Sequence, residues 1–330
     1  MLTLGKLPID FLKTCITLKG APDARVLIGP RFGEDCAVLD LGSQYLITKT
    51  DPVTFATEEV GWYAVHVNAN DVATMGARPC WFQACLLFPP GITEEAVRRV
   101  FAQIDAASKE LGIAVTGGHT EVTNAVTQPV VIGDMHGVVD KDRLVTSGGA
   151  RPDDVVVMTK TAGIEGTSIL AAEKAAALRP HLDESLRQEA LLLRRVPGIS
   201  VVKEALLAAD HGATALHDPT EGGIAMGLYE LATASSVGLT LDVDLIPILP
   251  VTRTICRVFN LNPLGLISSG TLLLTIPPDQ WPRLSKAFQV QGIMAQAIGR
   301  VRPEGGIAAF AGGKPIPFAY SETDELAKVL

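Results

Sequence analysis

The order of apolar and polar residues in the first half of the chain predicts strands and helices in alternation. Short apolar runs predict strands at residues 44–50, 80–88, 113–116 and about 129–139. Two longer segments, 58–75 and 93–111, carry apolar residues at helical spacing, and Gly112 ends the second. Because the two kinds of element alternate, we predict an α/β domain.

The first predicted helix, 58–75, has an apolar stripe and a separate polar face. We expect Thr57 to cap it, with Glu58 and Glu59 at the positive end of its dipole. Asn68 and Asp71 are three residues apart and share one face, which is offset from the stripe. We therefore expect this face to line a cleft. The predicted stripe consists of Trp62, Val65, Ala69, Val72, Ala73 and Gly76.

A turn-rich segment, SGGARPDD at residues 147–154, divides the chain. We predict an N-terminal domain over residues 1–149 and a C-terminal α+β domain over residues 150–330. The second domain opens with a strand at 155–159 and a glycine-rich turn, followed by about three helices up to residue 210. Later strands are predicted at 239–243, 270–276 and 293–301, with a helix near 279–290.

Composition narrows the class of protein. Hydrophobic residues make up 47% of the 330 residues and charged residues 19%, which indicates a compact folded chain. The net charge of −8, without runs of Lys or Arg, argues against nucleic-acid binding. A polyanionic ligand would need metal ions or backbone N–H groups to offset its charge.

The cysteines and the apolar runs of the sequence indicate the cellular compartment of the protein. The five cysteines include no CxxC pair, which argues against a zinc site or a disulfide framework and favours a reducing cytoplasm. Lys6, Asp10 and Lys13 interrupt the N-terminal apolar residues, so we expect no signal peptide there. No apolar run approaches the length of a membrane span.

Carboxylates recur beside strand ends and helix ends, where hard oxygen ligands suit Mg²⁺ held together with substrate phosphates. Any one of them could be an ordinary turn or cap residue, but together they predict a metal site. They are Asp35 in GEDCAVLD, Asp51 before Pro52, Asp71 in NANDVATMG, Glu121 in GGHTEVT and Asp218 in HDPTEGG.

Two glycine pairs predict close approach of backbone N–H groups to an anion. Gly117-Gly118 follows a predicted strand, and Gly222-Gly223 opens a predicted helix, whose N-terminus favours negative charge. Hairpins also use such pairs, so each is weak by itself. The sequence contains no P-loop, no kinase signature set and no nucleophile elbow.

Six motifs together resemble the aminoimidazole ribonucleotide (AIR) synthetase, or PurM-like, superfamily. They are GEDCAVLD, KTDPVTF, NANDVATMGARP, GGHTEVT, GARPDDVVVMTKTAGIEGTSIL and HDPTEGG, in the superfamily's order. DPTEGG is similar to the DPTRGG-type motif of the hydrogenase-maturation protein E (HypE) branch. Superfamily members also include thiamine-monophosphate kinase and selenophosphate synthetase.

The resemblance implies two domains, a homodimer in which N-terminal sheets pair, and ATP in a cleft between domains with Mg²⁺ bridging its phosphates to carboxylates. It implies metal-facing or phosphate-facing roles for Asp35, Asp51, Asp71 and Asp218. We assign nucleotide contacts to Lys49, Asn70, Gly117, Gly118, Thr120, Gly222 and Gly223, and catalytic roles to Asp51 and His119.

Two departures from the superfamily weaken the prediction of the reaction. The HypE branch ends in a cysteine that carries the carbamoyl group, whereas this sequence has no cysteine after Cys256, so we expect a different acceptor. Many relatives have an acid where this chain has His119. Selenophosphate synthetases are similar in having His there, but their catalytic Cys/Sec loop is not matched.

Several residues keep two interpretations. His119 is a ligand or a structural loop residue, and His217 orients Asp218 or merely starts a helix. Lys49 neutralises phosphate or protects a sheet edge. Glu34 supports the metal acids or is solvated. Cys36 is a poor nucleophile, because neighbouring carboxylates disfavour its thiolate.

Three functions remain open. The first is a Mg²⁺- and ATP-dependent enzyme that activates an amide, carboxylate or phosphate oxygen by phosphoryl transfer. The second is a nucleotide-binding accessory or regulatory protein without turnover. The third is a metal–carboxylate protein that binds no nucleotide. The acceptor substrate, small or protein-borne, is not identified by the sequence.

Overall fold

The computed structural model describes residues 7–31, 33–54, 58–321 and 323–330. Backbone contacts divide the chain into two compact units. The N-terminal unit comprises Pro22–Gly29 and Asp35–Leu144, and the C-terminal unit comprises the rest of the described chain. The α/β two-domain architecture predicted from the sequence is therefore confirmed.

The N-terminal unit is a six-stranded sheet with two helices. The strands lie in the order β1-β2-β3-β6-β4-β5, and only β4 and β5 pair in parallel. The strands are β1 (Val26–Ile28), β2 (Ala37–Asp40), β3 (Gln44–Val53), β4 (Arg78–Phe88), β5 (Ala114–Val122) and β6 (Val130–Asp140). A short helix, α1 (Ile9–Cys15), belongs to the other unit, and the helices here are α2 (Val60–Thr74) and α3 (Glu94–Leu111).

Helix α2 is buried on nearly all sides rather than along a stripe. All six predicted stripe residues are buried, but so are Tyr63, His66 and the polar Asn68 and Asp71. The expectation of an amphipathic helix is therefore wrong. The helix begins at Val60, after Glu59, and the proposed cap Thr57 lies outside the described residues.

Close packing of α2 on the sheet depends on two glycines of β6. A Cβ atom on Gly133 would lie 2.4 Å from the Asn68 amide nitrogen, and one on Gly137 would lie 2.5 Å from a Val72 methyl group. Real Cβ atoms do not approach so closely, so glycine at these positions lets the helix contact the strand. The α2 polar residues are thereby held against β3 and β6.

The second helix of this unit follows its sequence signals. Thr93 caps α3 by accepting a hydrogen bond from the N–H of Ala96, and Gly112 ends the helix in the left-handed conformation, with φ of 70°. Side-chain oxygens at this position satisfy an orphan N–H of the first turn. The predicted boundaries of this helix are confirmed.

The C-terminal unit contains a seven-stranded sheet in the order β13-β12-β9-β11-β7-β10-β8. Helix α8 packs Ile224, Leu228 and Leu231 into a core shared with Met158 and Leu273 of the sheet. The strands are β7 (Val155–Thr159), β8 (Ala215–His217), β9 (Gly238–Asp242), β10 (Leu273–Ile276), β11 (Ala295–Arg302), β12 (Gly306–Ala311) and β13 (Lys314–Ile316). The helices are α4 (Ile164–Glu173), α5 (Ala175–Leu178), α6 (Glu184–Leu192), α7 (Val202–Asp210), α8 (Gly223–Ala234), α9 (Pro250–Phe259) and α10 (Trp281–Val290).

Among the described residues, no helix combines the length and the apolar character needed to cross a membrane.

Candidate functional site

A largely buried lysine, Lys49, lies among carboxylates at the centre of the candidate site in the N-terminal unit. Lys49 Nζ lies 3.0 Å from Asp71 Oδ2 and 3.6 Å from Asp51 Oδ2. Burial alone would lower the pKa of Lys49, but the negative charges of Asp71, Asp51 and Asp35 outweigh it and hold the pKa well above its ordinary value. Lys49 is therefore a fixed positive charge.

The position of Lys49 in the sheet excludes the interpretation that it protects a sheet edge. Lys49 belongs to β3, which pairs with β2 on one side and with β6 on the other, where Lys49 lies opposite Met135. The side chain is largely buried. Lys49 is thus on an interior strand, so the alternative of a lysine that protects a sheet edge is wrong.

Two predicted metal ligands of this unit lie close together. Ligand oxygens of Asp35 and Asp71 lie within 4.8 Å of one another. Asp35 begins the segment before β2, and Asp71 lies near the end of α2, so they are distant in sequence but adjacent in the unit. Asp71 is buried and Asp35 is partly buried. Carboxylates that share a site repel each other, and Lys49 offsets part of this repulsion. The donor set of hard oxygens fits Mg²⁺.

Asp51 differs from Asp71 in its exposure to solvent. The Asp51 side chain is 39% exposed and that of Asp71 only 5%. The backbone of Asp51 is anchored, because its carbonyl accepts a hydrogen bond of 3.2 Å from the Asn68 amide, which also donates to Ala64 O. Asn70, the predicted nucleotide contact beside Asp71, is fully buried in α2.

The first glycine pair occupies a strand rather than the predicted turn. β5 continues through Gly117 and Gly118, whose φ values of 151° and 145° favour glycine. A Cβ atom on Gly118 would lie 2.0 Å from Ala84 O of the neighbouring strand. This pair therefore allows tight pairing with β4, and the expectation of a glycine turn after residue 116 is wrong.

His119 and Thr120 lie on the same edge strand, and every residue of β5 is exposed. His119 Nε2 lies 3.3 Å from Glu121 Oε2. The structure thus places His119 on a solvent-exposed sheet edge beside one carboxylate. The predicted roles of Gly117, Gly118, His119 and Thr120 at a nucleotide remain predictions.

Asp218 lies in the C-terminal unit, directly after β8, and is buried. The preceding His217, also buried, places Nε2 3.0 Å from Glu230 Oε2 of α8. This contact joins β8 to α8 and holds the chain on the N-terminal side of Asp218. A buried carboxylate at the start of the DPTEGG segment is consistent with a functional acid.

The second glycine pair does open a helix, as predicted, but the chain's own carboxylate occupies one of its amides. Gly222, with φ of 79°, is the N-cap position of α8, and its N–H donates to Asp324 Oδ2 at 2.8 Å. The N–H of Gly223 donates to Thr220 O. An anion approaching the Gly222 N–H would therefore have to displace the Asp324 carboxylate. No signal in the sequence indicates that Asp324 bonds this amide.

A titratable glutamate near this helix was not predicted from the sequence. Burial raises the pKa of Glu165 to about 7; a hydrogen bond with Ser269 opposes the rise, and the charges of Glu221 and Asp324 add to it. Burial likewise raises the pKa of Asp324 to about 6, against hydrogen bonds from the N–H groups of Leu326, Gly222 and Ile267. GIEGTS resembles an ordinary helix start, so no local signal marks Glu165.

The Glu165→Gln variant is expected to be more stable than the wild type at pH 8 and about equally stable near pH 4. The carboxyl pKa is 4.5 in the unfolded chain and about 7 in the fold. The wild type therefore loses stability as pH rises between these values, by about 3 kcal/mol in total. Urea unfolding at several pH values measures the difference. Glu304→Gln, at an exposed position of the same unit, is the control. If the stability difference between Glu165→Gln and the wild type does not change with pH, the raised pKa of Glu165 is contradicted.

Glu34 and Cys36 flank Asp35 and are both buried. The Glu34 side chain is 4% exposed and its Oε1 lies 2.6 Å from Arg31 Nη2. The alternative of a solvated Glu34 is therefore wrong. Cys36 is 5% exposed, which agrees with the expectation that it is a poor nucleophile.

Two family models describe the chain in succession. The AIR synthase related protein N-terminal domain matches residues 33–139, and the AIR synthase related protein C-terminal domain matches residues 151–312. The chain therefore belongs to the AIR synthase related family. This confirms the resemblance seen in the six motifs.

Within that family the chain is close to HypE proteins. The carbamoyl dehydratase HypE of Azotobacter vinelandii is 31% identical over 281 residues, which cover 81% of this chain and 78% of that protein. A structure of the hydrogenase maturation protein HypE in complex with ATP is 22% identical, with a TM-score of 0.70, covering 97% of this chain and 96% of that one. AaThiL complexed with AMPPCP and TMP is also 22% identical, with a TM-score of 0.72 and 94% of each chain covered. The two structures show a shared fold.

Proposed function

We propose that this protein is a Mg²⁺- and ATP-dependent enzyme that activates a substrate oxygen by phosphoryl transfer. The observation that carries the proposal is the group of carboxylates around Lys49, in which the buried Asp71 and the partly buried Asp35 place oxygens within 4.8 Å of one another. Relatives described as carbamoyl dehydratases, and a HypE structure described as an ATP complex, support it.

In this proposal Asp35, Asp51 and Asp71 of the N-terminal unit would hold Mg²⁺. The role of Asp218, in the C-terminal unit, as a metal-facing or phosphate-facing acid stays a prediction. When bound, Mg²⁺ would neutralise charge on the triphosphate, which is the main requirement of phosphoryl transfer. The Lys49 ammonium, fixed by Asp71 at 3.0 Å, provides a further point charge for phosphate oxygens.

The more exposed Asp51 is the acid in this group best suited to contact the acceptor. Its side chain reaches solvent while its backbone is fixed by Asn68. For an acceptor with a carbamoyl group, we propose that Asp51 accepts a proton from the amide nitrogen as the carbonyl oxygen bonds to the γ-phosphorus and the bond from that phosphorus to the β-phosphate oxygen breaks, releasing ADP. A carboxylate acceptor would attack without giving up a proton. His119, which lies on the exposed strand β5, is a second candidate to accept the amide proton.

Formation of ADP tests turnover, because phosphoryl transfer yields ADP whether or not phosphate later leaves the acceptor. We expect Mg·ATP with an acceptor that carries a carbamoyl or carboxylate group to yield ADP. We expect the Asp51→Asn variant, which removes both the proposed base and one proposed Mg²⁺ ligand, to lose most turnover even when Mg·ATP is raised to saturation. The matched control is Asp134→Asn, on the neighbouring strand β6. Nucleotide binding without ADP formation with any acceptor would instead favour the accessory function.

The accessory or regulatory alternative has one structural observation in its favour. Asp324 of the chain's C-terminal segment already bonds the Gly222 N–H, an amide that we assigned to the nucleotide. A protein that only senses nucleotide could exchange this carboxylate for a phosphate at the start of α8. Displacement without turnover is the result expected of that function.

We propose that the protein forms a homodimer through β5. This strand is exposed over its whole length at the edge of the six-stranded sheet, with Val115 51% and Val122 59% exposed. An exposed edge strand with apolar side chains is a template for pairing with another chain.

The Val115→Asp variant is expected to shift the protein from dimer to monomer, because a charge on the edge strand opposes pairing. Sedimentation velocity measures the change. Val290→Asp makes the same substitution at an exposed position of α10 and is expected to leave the dimer intact. A wild-type monomer, or equal effects of the two variants, contradicts dimerisation through β5.

We also propose a cytoplasmic location. All five cysteines are free thiols in the structure, which suits a reducing compartment.

A further inference from the structure

A cavity in the C-terminal unit is separate from every residue assigned above. It has a volume of about 560 Å³ and lies where the chain leaves β7, between α7 and the segment before β11. This volume is within the range of small-molecule sites. Its polar lining includes Lys160, Thr161, Ser200, Lys203 and Glu204, and its apolar lining includes Val196, Pro197, Leu249, Ile293 and Met294.

One wall of the cavity is fixed by a buried ion pair. Lys160, which has a positive φ of 53°, places Nζ 2.9 Å from Glu204 Oε1 and donates to the carbonyls of Gly198 and Ser200. All three ammonium hydrogens therefore have acceptors. Because Lys160 neutralises Glu204, the charge left at the cavity is that of the exposed Lys203.

The first turn of α7 adds a second attraction for an anion. The helix has nine residues, and its N-cap residue, Val201, makes no side-chain capping bond. The Ser200 hydroxyl accepts only a long bond of 3.4 Å from the N–H of Val202. The N–H groups of Lys203 and Glu204 have no acceptor within the helix, as at any helix start. Such a terminus favours negative charge.

An independent observation points to a ligand. Thr161 lines the cavity, is 4% exposed, and its hydroxyl has no hydrogen-bond partner among the residues that the structure describes. Leaving a buried hydroxyl unpaired is unfavourable, so a ligand group that bonds it would gain affinity. The polar and apolar linings together fit a molecule with an acidic end and an apolar body.

We infer that this cavity binds a small organic anion, with its acidic group at Lys203 and the start of α7 and its apolar body against Leu249, Ile293 and Met294. Both carboxylates and phosphate monoesters have the required chemistry. The site lies entirely in the C-terminal unit and requires neither Mg²⁺ nor nucleotide.

The test uses 4-methylpentanoate as the probe and saturation-transfer NMR of the whole protein without nucleotide. Its neutral amide tests the need for charge, and isobutyl phosphate and inorganic phosphate test the alternative acid and the need for an apolar body. We expect one of the two organic anions to bind, and the amide and inorganic phosphate to bind at least about tenfold more weakly.

Variants locate the probe. Lys203→Ala is expected to weaken binding about tenfold, and Met294→Trp to block it by filling the half-exposed rim. Lys314→Ala, at an exposed lysine of β13, is the control and should bind as the wild type does. Lack of binding by both organic anions, or equal binding by the Lys203→Ala and Lys314→Ala variants, overturns the inference. Because Mg·ATP is absent, that failure leaves the proposed phosphoryl transfer untouched.

Discussion

The Asp71→Asn variant is expected to bind Mg·ATP about 100-fold more weakly than the wild type. Asparagine keeps the size of the side chain but removes the charge beside Asp35 and Lys49. Disturbing residues that merely support metal ligands already costs about 10–100-fold in metal affinity, so the loss of a ligand should reach the upper end of this range. Isothermal titration calorimetry with Mg·ATP measures the change.

The control for this variant is Asp105→Asn, an exposed carboxylate on α3 of the same unit, paired with Lys109. It removes the same charge from the unit without touching the candidate site. We expect its affinity to equal that of the wild type. An equal loss of Mg·ATP affinity in both variants would mean that the overall charge of the unit, rather than metal ligation, determines binding. If Asp71→Asn loses no affinity, Asp71 is not a ligand of the site.

Replacing Lys49 by methionine is expected to lower the free energy of unfolding by about 3 kcal/mol or more, because removal of one partner from a buried ion pair leaves the other charge uncompensated. Asp71 would lose its cation at 3.0 Å, and Asp51 its cation at 3.6 Å. Urea unfolding measures the loss. If the carboxylates are metal ligands, Mg²⁺ should restore stability to this variant more than it stabilises the wild type.

Lys141→Met provides the comparison for an exposed pair. Lys141 Nζ lies 2.7 Å from Asp40 Oδ2 in the same unit, but both side chains are substantially exposed. Such pairs contribute about 0–1 kcal/mol, so a small loss without a response to Mg²⁺ is expected. If Mg²⁺ stabilises both variants and the wild type equally, the acids around Lys49 bind no divalent cation in the free protein.

Elements with local signals were predictable from the sequence. The α3 boundaries followed from Thr93 and Gly112, which act within a few residues of the helix ends. The strand at 155–159 was recognisable because β7 is fully buried and its sequence, VVVMT, is a continuous apolar run. In both cases the information lies within the element itself.

Elements whose character depends on distant neighbours were predicted less well. β5 was cut short at residue 116, because an edge strand exposed on both faces has no apolar alternation, and Gly117-Gly118 resembles a turn. The full burial of α2 depends on packing against β6 at Gly133 and Gly137. Neither contact leaves a periodic pattern in the sequence.

In the candidate site, too, features marked by local sequence were predictable, and features that depend on distant residues were not. Residue type, together with a predicted strand end for Asp51 and the polar face of a predicted helix for Asp71, drew attention to Asp35, Asp51 and Asp71. These residues are adjacent to one another or to Lys49 in the fold. The bond from Gly222 to Asp324 joins residues 102 positions apart, so nothing local predicts it. The raised pKa of Glu165 likewise follows from burial in the tertiary fold.

The most direct measurement is a crystal structure grown with Mn²⁺, in place of Mg²⁺, and a non-hydrolysable ATP analogue. Anomalous scattering from Mn²⁺ locates the cation independently of the nucleotide. We expect an anomalous peak at about 2.0–2.3 Å from carboxylate oxygens of Asp35 and Asp71, with the triphosphate bound to the same ion. A well-defined nucleotide whose metal contacts neither of these carboxylates would contradict it.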